Sequence, residues 1–361
     1  MSVIYSQKFK VGDDVISKNS PTYFIADIAA SHDGDINRAI DLIWLAKEAG
    51  ANAAKFQHFS ASTIVSDFGF RNLNTGISHQ SAWKKSVFEV YKDAEVGVEW
   101  TERLKSTCDS AGITFFTSPY SFELLDLVDA FVPAHKIGSG DITWHEMIER
   151  IASKNKPYFV ATGASGLSEV VSAVNVATAI NPDICLMQCN TNYTGSLENF
   201  KYINLNVLNQ YAKLFPGMLL GLSDHTPGHS TVLGAVTLGA SVVEKHFTDD
   251  KTRVGPDHGF SMDPPEWRSM VEATREIELS LGDGSKIIEE NEKETAIIQR
   301  RSLCAAADLK ASHVIGKNDL VALRPCPEQA FQPHEIAAVL GRSLKTAVSK
   351  GESIKRFNID D

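Results

Sequence analysis

Eight short apolar runs, separated by segments with helical spacing, constrain the fold of this 361-residue chain more than any other feature. The runs cover residues 23–27, 53–57, 113–117, 134–138, 158–162, 184–188, 218–223 and 241–246. Between the first two runs, Ile36, Ala39, Ile40 and Ile43 recur at helical spacing, and Gly50 supplies a stop signal. Eight successive strand–helix units predict an α/β fold, a TIM (β/α)8 barrel.

The character of the chain changes after the eighth unit. We expect a catalytic barrel domain over residues 1–280, a linker over 281–299 and a small domain over 300–361. A hydrophilic helix is predicted from 264 through 294, with a break at 282–285, leading away from the barrel. About sixty residues are few for an independent core, so the small domain is expected to pack on a barrel, its own or a partner's.

A long insertion at residues 60–99 interrupts the second strand–helix unit. Insertions that follow a barrel strand lie on the catalytic face, so this one is expected to shape substrate access.

Charge and hydropathy exclude some classes of function. The net charge of −10 and the pI near 5.6 offer no broad basic surface, so nucleic acid is not an expected partner. The N-terminus has no apolar signal region and no stretch has eighteen unbroken apolar residues, so we expect a cytoplasmic protein without a membrane partner. Five cysteines, an odd number, fit reduced thiols.

His225 and His246 each close one of the last two apolar runs. Parallel barrel strands deliver their C-terminal ends to one face, so the two imidazoles are predicted to share a metal site. Neutral imidazole suits Mn²⁺, Fe²⁺, Co²⁺ or Zn²⁺, and two protein nitrogens leave positions for water and substrate oxygens. The alternative is a pair of buried, hydrogen-bonded histidines without a metal.

Polar residues stand at the ends of most predicted strands. They are Asp27, Lys55, Gln57, Ser118, Lys136, Ser139, Asp141, Thr191, Tyr193, Ser223 and Asp224. Lysine is costly to bury in an apolar strand unless it is paired or faces a ligand, so Lys55 and Lys136 are predicted to face one anionic pocket. Such a pocket suits a phosphate and a carboxylate held together, with Asp27 and Asp141 moving protons.

Other interpretations of these residues remain open. Either lysine could be salt-bridged to an acid on a neighbouring strand, and Asp27 could cap the helix that begins near residues 33–35. A desolvated barrel lysine could form a Schiff base with pyruvate, although two histidines for a metal argue against that aldolase mechanism. A carbohydrate-binding protein without catalytic activity is the last alternative; such a protein has no need of both histidines and both lysines, which argues against it.

Motifs over nearly the whole chain resemble the sialic acid synthase family. In the barrel these are Ile-Ala-Asp27-Ile, Ser31-His-Asp-Gly34, Lys55-Phe-Gln57, Thr117-Ser-Pro119, Lys136-Ile-Gly-Ser-Gly140, Thr162-Gly163, Gly221-Leu-Ser-Asp-His-Thr226, Glu244-Lys-His-Phe-Thr248 and Gly255-Pro-Asp257. In the small domain, Arg300-Arg-Ser-Leu and Leu323-Arg-Pro325 are similar to the family's antifreeze-like (SAF) domain. Together these motifs are highly specific, although several of them individually are not.

The resemblance implies a role for each matching residue. His225 and His246 would hold a divalent metal, Mn²⁺ or Mg²⁺, and Lys55, Ser118, Lys136, Ser139 and Ser223 would hold phosphoenolpyruvate. Gln57, Tyr193 and Asp257 would contact an amino-sugar aldehyde. Arg324 would reach from the small domain into the other subunit's site in a domain-swapped homodimer.

The implied reaction is an aldol-like condensation. C3 of phosphoenolpyruvate attacks the aldehyde carbon of an N-acetylhexosamine, water adds at C2, and phosphate leaves by C–O cleavage to give a 2-keto-3-deoxy acid. Electrostatic stabilisation by a metal and lysines suits such a reaction.

The sequence departs from the family pattern at several positions. Asp27 and Asp141 replace glutamates, Ser31 and Asp33 replace asparagines, and Thr191 stands where asparagine or serine is common. Ala161 stands where serine is expected, and the segments 79–83 and 85–91 of the insertion are unlike those of N-acetylneuraminate enzymes. The shortened carboxylates would suit either a bulkier acceptor, such as a 6-deoxy diacetamido sugar, or a shifted metal, so the acceptor stays open.

Overall fold

A computed structural model describes residues 5–73 and 83–360 of the chain. The chain divides at Gly282 into two compact units. The strands are β1 (Lys8–Val11), β2 (Asp14–Ser17), β3 (Tyr23–Asp27), β4 (Ala53–His58), β5 (Thr114–Pro119), β6 (His135–Ile137), β7 (Tyr158–Ala161), β8 (Ile184–Cys189), β9 (Leu219–Asp224), β10 (Ala240–His246), β11 (Ser302–Ala305) and β12 (Leu320–Leu323).

The α-helices of the described ranges alternate with these strands through most of the first unit. They are α1 (Ile36–Glu48), α2 (Ala61–Ile64), α3 (Asp67–Asn72), α4 (Val87–Asp93), α5 (Thr101–Ala111), α6 (Phe122–Val128), α7 (His145–Ala152), α8 (Leu167–Thr178), α9 (Val207–Leu214), α10 (Ser230–Thr237), α11 (Pro264–Ser280) and α12 (Lys293–Ile298). Within residues 5–73 and 83–360, no helix is both long enough and apolar enough to cross a membrane.

Strands β3 to β10 form one parallel sheet in the order β5-β4-β3-β10-β9-β8-β7-β6. The first and last strands of this order lie next to each other, so the sheet is a nearly closed barrel. All eight predicted strands are present, with ends within two residues of those expected. The TIM-barrel prediction is therefore confirmed, and the C-terminal ends of the strands form one face.

Helix α1 illustrates how local sequence produces these elements. The Asp35 side chain accepts a hydrogen bond from the Asn37 amide and caps the first turn. Ala39, Leu42, Ile43 and Ala46 form the buried stripe that packs on the sheet. Gly50 follows the helix at φ +96°, a conformation that glycine adopts without a steric penalty.

Helix α11 differs from its prediction. It ends at Ser280, just before the predicted break at 282–285, and the predicted continuation of the helix from there through residue 294 is wrong. Trp267, Met270 and Thr274 are buried along one side, and the helix packs against α10 and α1. Their spacing of three and four residues gives α11 an apolar stripe, which is why it stays on the barrel instead of leading away.

An N-terminal hairpin closes the opposite end of the barrel, and the sequence analysis did not predict it. Strands β1 and β2 pair antiparallel through a turn at Gly12, which has φ +62°. Phe9, Val11 and Ile16 are buried among the inward side chains of the barrel strands, where the Phe9 ring meets Phe159 edge-on at 6.0 Å. The hairpin therefore excludes water from the end of the barrel that faces away from the cavity described below.

The second unit has its own core. Strands β11 and β12 pair antiparallel, and short 3-10 turns and isolated bridges connect the rest. Its buried apolar residues are Leu303, Ala305, Leu309, Ile315, Phe331, Val339, Leu344, Val348, Ile354 and Ile359.

Candidate functional site

A cavity of about 390 Å³ opens at the C-terminal ends of the barrel strands. Most of the predicted site residues line it together: Asp27, Lys55, Gln57, Lys136, Ser139, Asp141, Tyr193, Ser223, His225, His246 and Asp257. Each comes from a strand end or from the loop that follows, so the barrel topology brings residues 230 positions apart into one place.

Glu244 also lines the cavity, and the sequence analysis gave it no role. Its Oε1 accepts hydrogen bonds from Lys136 Nζ at 2.8 Å and from Ser223 Oγ at 3.2 Å, and lies 3.3 Å from Lys55 Nζ. Its Oε2 is buried without a hydrogen-bond partner among the described atoms. The signal was available, because residues two apart on a strand share a face and Glu244 is two before His246.

Asp27 forms a second buried ion pair in the same cavity. Its Oδ2 lies 2.7 Å from Lys55 Nζ and accepts a hydrogen bond from Gln57 Nε2 at 3.1 Å. Asp27 does not cap α1, since Asp35 does so. The alternative that the lysines pair with acids holds alongside the pocket hypothesis, because both lysines are ion-paired and both line the cavity.

The opposite charges of these buried groups shift one another's pKa values. Burial opposes the charge of Lys55, but Asp27 and Glu244 outweigh it and raise the pKa of the ammonium. Burial also opposes ionisation of Glu244, but Lys136 and Lys55 lower the pKa of its carboxyl to about 2. Burial raises the pKa of Asp27 even though Lys55 favours its charged form. Two positive and two carboxyl groups thus share one small volume.

The two histidines lie side by side at the cavity wall, with ring centroids 5.3 Å apart. His225 Nδ1 is 2.9 Å from the carbonyl of Asn190, an acceptor only, so the histidine donates from this nitrogen and its Nε2 can act as a ligand. His246 Nδ1 is buried without a hydrogen-bond partner among the described atoms. Burial, assisted by the neighbouring His246 for His225 and by Lys55 for His246, lowers each pKa to about 3.

A buried ion pair fixes the loop that carries His225. Lys245 Nζ lies 2.5 Å from Asp224 Oδ2 and donates to the Thr226 carbonyl at 2.6 Å, so one ammonium holds the residues on both sides of His225. Asp224 also accepts hydrogen bonds from the hydroxyls of Thr226 and Thr231. Since Lys245 immediately precedes His246, this clamp connects the backbone at both histidines.

The donor set of the histidine pair fits a divalent metal only in part. Two neutral imidazoles, one with an orphaned buried nitrogen, are suitable ligands for Mn²⁺ and similar ions. However, no group of three or more His, Cys, Asp or Glu side chains is arranged to hold a metal in the parts of the chain that the structure describes. A metal here would take its remaining ligands from water and substrate.

Two further carboxyl groups that line the cavity, Asp141 and Asp257, have raised pKa values. Burial raises the pKa of Asp141 to about 6. Burial also raises the pKa of Asp257 to about 7, although the hydrogen bond from the Ala30 amide opposes the shift. Asp257 Oδ2 lies 4.0 Å from His246 Nδ1. Groups that titrate near neutrality can both accept and release a proton.

The protein belongs to a known family by direct comparison. Residues 42–286 match the model of the NeuB family, and residues 300–356 match that of the SAF domain. The chain is a member of the NeuB family. It is 34% identical to an N,N'-diacetyllegionaminic acid synthase of Legionella pneumophila, over 92% of this chain and 93% of that one.

Other relatives of this NeuB-family chain are named for different products. It is 30% identical to a pseudaminic acid synthase of Campylobacter jejuni, over 92% of this chain and 95% of that one. Its fold matches the crystal structure of an N-acetylneuraminic acid (sialic acid) synthetase of Leptospira borgpetersenii with a TM-score of 0.70. That match has 28% identity and covers 81% of this chain and 95% of that one.

Three predicted residues of the NeuB-family site lie outside the cavity wall. Ser118 is buried on β5, and its hydroxyl has no hydrogen-bond partner among the described atoms. Thr191 packs against Gly163, since a Cβ added at Gly163 would lie 2.6 Å from the Thr191 methyl group. Arg324 belongs to the second unit, where it is exposed directly after β12.

The insertion forms one wall of the NeuB-family cavity, as expected from its place after a barrel strand. Ile64, Trp83, Val90, Tyr91 and Ala94 line this side, and residues 74–82 lie outside the described ranges. Of the two segments predicted to differ from N-acetylneuraminate enzymes, 79–83 falls almost wholly outside the described residues, whereas 85–91 contributes Val90 and Tyr91 to this wall.

Proposed function

We propose that this chain condenses phosphoenolpyruvate with an N-acetylated amino-sugar aldehyde to give a nine-carbon 2-keto-3-deoxy acid and phosphate. The observation that carries the proposal is the convergence of Lys55 and Lys136 on one cavity wall beside two neutral histidines. Relatives named as legionaminic, pseudaminic and sialic acid synthases support the same class of reaction.

The charge balance of the cavity supports dependence on a divalent metal. Lys55 and Lys136 are already paired with Asp27 and Glu244, so these four groups supply no net positive charge when all are ionised. A phosphorylated carboxylic acid carries several negative charges and needs an additional cation nearby. Mn²⁺ or Mg²⁺ held by His225 and His246 would supply that charge and polarise an aldehyde.

The chain's own residues would divide the work between the two substrates. Lys55, Lys136, Ser139 and Ser223 would bind the phosphate and carboxylate of phosphoenolpyruvate, with Ser118 and Thr191 supporting them from outside the cavity lining. Gln57, Tyr193 and Asp257 would orient the acceptor. Asp27 would hold Lys55, and Asp141 or Asp257 would carry a proton near neutral pH, because their pKa values of about 6 and about 7 lie close to it.

A Schiff-base mechanism has less support. An amine must be neutral to attack a carbonyl, yet Lys55 has a raised pKa and lies between two carboxyl groups. Lys136 is likewise hydrogen-bonded to Glu244.

We further propose a cytoplasmic, domain-swapped homodimer in which Arg324 of one subunit contacts the acceptor in the other.

Phosphate release from phosphoenolpyruvate tests the proposed function. The purified protein is incubated with Mn²⁺ and a panel of acceptors: N-acetylmannosamine, mannose and 6-deoxy diacetamido hexoses. We expect release with one acceptor, abolished by a chelator and by His246→Ala. Release that is insensitive to the chelator, or covalent trapping of pyruvate by borohydride, would contradict the proposal and favour the aldolase.

A further inference from the structure

Asp33 binds three side chains at once, two of which belong to a single loop. Its Oδ2 lies 2.7 Å from Arg253 Nη2 and 3.3 Å from Arg38 Nε, and its Oδ1 accepts a hydrogen bond from His258 Nε2 at 2.9 Å. Asp33 itself lies in the loop between β3 and α1, about 220 residues away along the chain. Burial opposes its charge, but His258 and Arg253 outweigh burial and lower the pKa of the Asp33 carboxyl.

Arg253 and His258 mark the two ends of a short segment, and Asp33 therefore fastens both ends of it. His258 is fully buried, and Thr248 Oγ1 lies 2.7 Å from its other ring nitrogen. The segment between them is tight: a Cβ at Gly255 would lie 2.6 Å from the His258 ring. Val254 is fully exposed next to Arg253, so burial anchors the segment at its His258 end and not at its Arg253 end.

The segment that Asp33 fastens carries Asp257, which lines the cavity. The Asp257 carboxyl accepts a hydrogen bond from the Ala30 amide at 2.9 Å, and Ala30 lies three residues before Asp33. Both contacts therefore join the same two loops. Without Asp33, the segment would keep the Ala30 hydrogen bond and the contact of His258 with Thr248, and the loop before it would keep the ion pair of Arg38 with Asp249. Arg253 would lose its ion pair, so the part of the segment nearest to it should open more readily.

We propose that Asp33 is a positioning residue that sets the place of Asp257 and thereby the affinity for the acceptor sugar. The proposal rests on the proposed function, in which Asp257 contacts the acceptor. It assigns Asp33 no contact with either substrate. Its effect is confined to the loop of residues 250–258, so phosphoenolpyruvate binding at Lys55 and Lys136 should be insensitive to it.

The variant Asp33→Asn tests this role with little other change. Asp33 has φ +51°, a conformation that asparagine tolerates well, so the backbone can be kept. The amide retains the shape of the carboxyl but loses the charge that binds Arg253. The matched control is Asp250→Asn in the same loop, because Asp250 accepts hydrogen bonds only from its neighbour Thr252 among the described contacts.

Two readouts separate positioning from general stability. Trypsin cleavage after Arg253 and hydrogen exchange at residues 250–258 report opening of the loop without any turnover. We expect Asp33→Asn to accelerate both about tenfold, to raise the KM for the acceptor about fivefold, and to leave the KM for phosphoenolpyruvate within about twofold. Asp250→Asn should change none of them.

A second variant, Arg253→Met, removes the same contact from the other side, with hydrogen exchange as its readout. It should open the loop to a similar extent, and the double variant should add little, because the two residues share one interaction. If the wild type turns over and Asp33→Asn has an unchanged KM for the acceptor, the inference about Asp33 is refuted while the proposed function stands. Absence of turnover in the wild type with every acceptor would refute the proposed function, and the inference with it.

Discussion

Glu244 places a negative charge beside both lysines of the cavity, where an anionic substrate would otherwise gain from them. Glu244→Gln should therefore bind phosphoenolpyruvate several-fold more tightly in the absence of metal, measured by calorimetric titration with a chelator present. The same variant should lose about 1–3 kcal/mol of unfolding free energy, because Lys136 exchanges a buried carboxylate for a neutral amide.

Glu266→Gln is the matched control for this prediction. Glu266 pairs with Lys251 at 2.5 Å on a partly exposed surface outside the cavity, so its loss should cost less than about 1 kcal/mol and leave substrate affinity unchanged. Weaker binding of phosphoenolpyruvate by Glu244→Gln would mean that Glu244 organises the lysines instead of opposing the substrate.

The raised pKa of Asp141 predicts that the free energy of unfolding depends on pH. This pKa is raised by burial from 3.8 to about 6, so the folded state holds a proton that the unfolded chain releases between these values. The folded state binds more protons in this window, so the free energy of unfolding falls as pH rises from about 4 to about 6, by up to about 3 kcal/mol. Denaturant unfolding of Asp141→Asn should lack this part of the slope; an unchanged slope would contradict the prediction.

At the scale of elements, the Asp224–Lys245 clamp joins the ends of β9 and β10. Lys245→Met leaves Asp224 buried without its cation and should cost about 3–5 kcal/mol, measured by guanidinium unfolding with a chelator present. The double variant with Asp224→Asn should recover part of this loss. The control Lys154→Met breaks a surface ion pair with Asp126 and should cost less than about 1 kcal/mol of unfolding free energy. If Lys245→Met costs no more than this control, the ion pair of Lys245 with Asp224 does not stabilise the two strand ends.

The elements that were predictable from sequence are those whose signal is local. The eight strands follow from short apolar runs, and α1 follows from its apolar residues at helical spacing and the stop signal at Gly50. The hairpin escaped prediction because its partners are distant: Phe9 and Val11 alternate with polar residues, but nothing local shows that they fill the end of a barrel.

The candidate site likewise has residues with a local sequence signal and residues without one. The histidines and lysines stand out because such residues are rare within apolar runs, whereas the carboxyl groups that hold them are ordinary in sequence. Glu244 is recognisable only once its strand face is known, and Asp33 only once Arg253 and His258 are seen beside it. Pairings that span two hundred residues leave no periodic trace in the sequence.

At the scale of the whole molecule, the proposed domain swap predicts complementation between two inactive variants. If Arg324 serves the partner's barrel, a dimer of one His225→Ala chain and one Arg324→Ala chain has one site with both defects and one intact site. Random pairing at equal concentrations makes half of the dimers mixed, so about a quarter of wild-type phosphate release should return. If each small domain serves its own barrel, every mixed site carries one defect and the mixture stays inactive. Activity should return only when the two chains are unfolded and refolded together, because separately folded dimers keep their partners. A mixture that stays inactive after verified exchange of subunits would refute the swap.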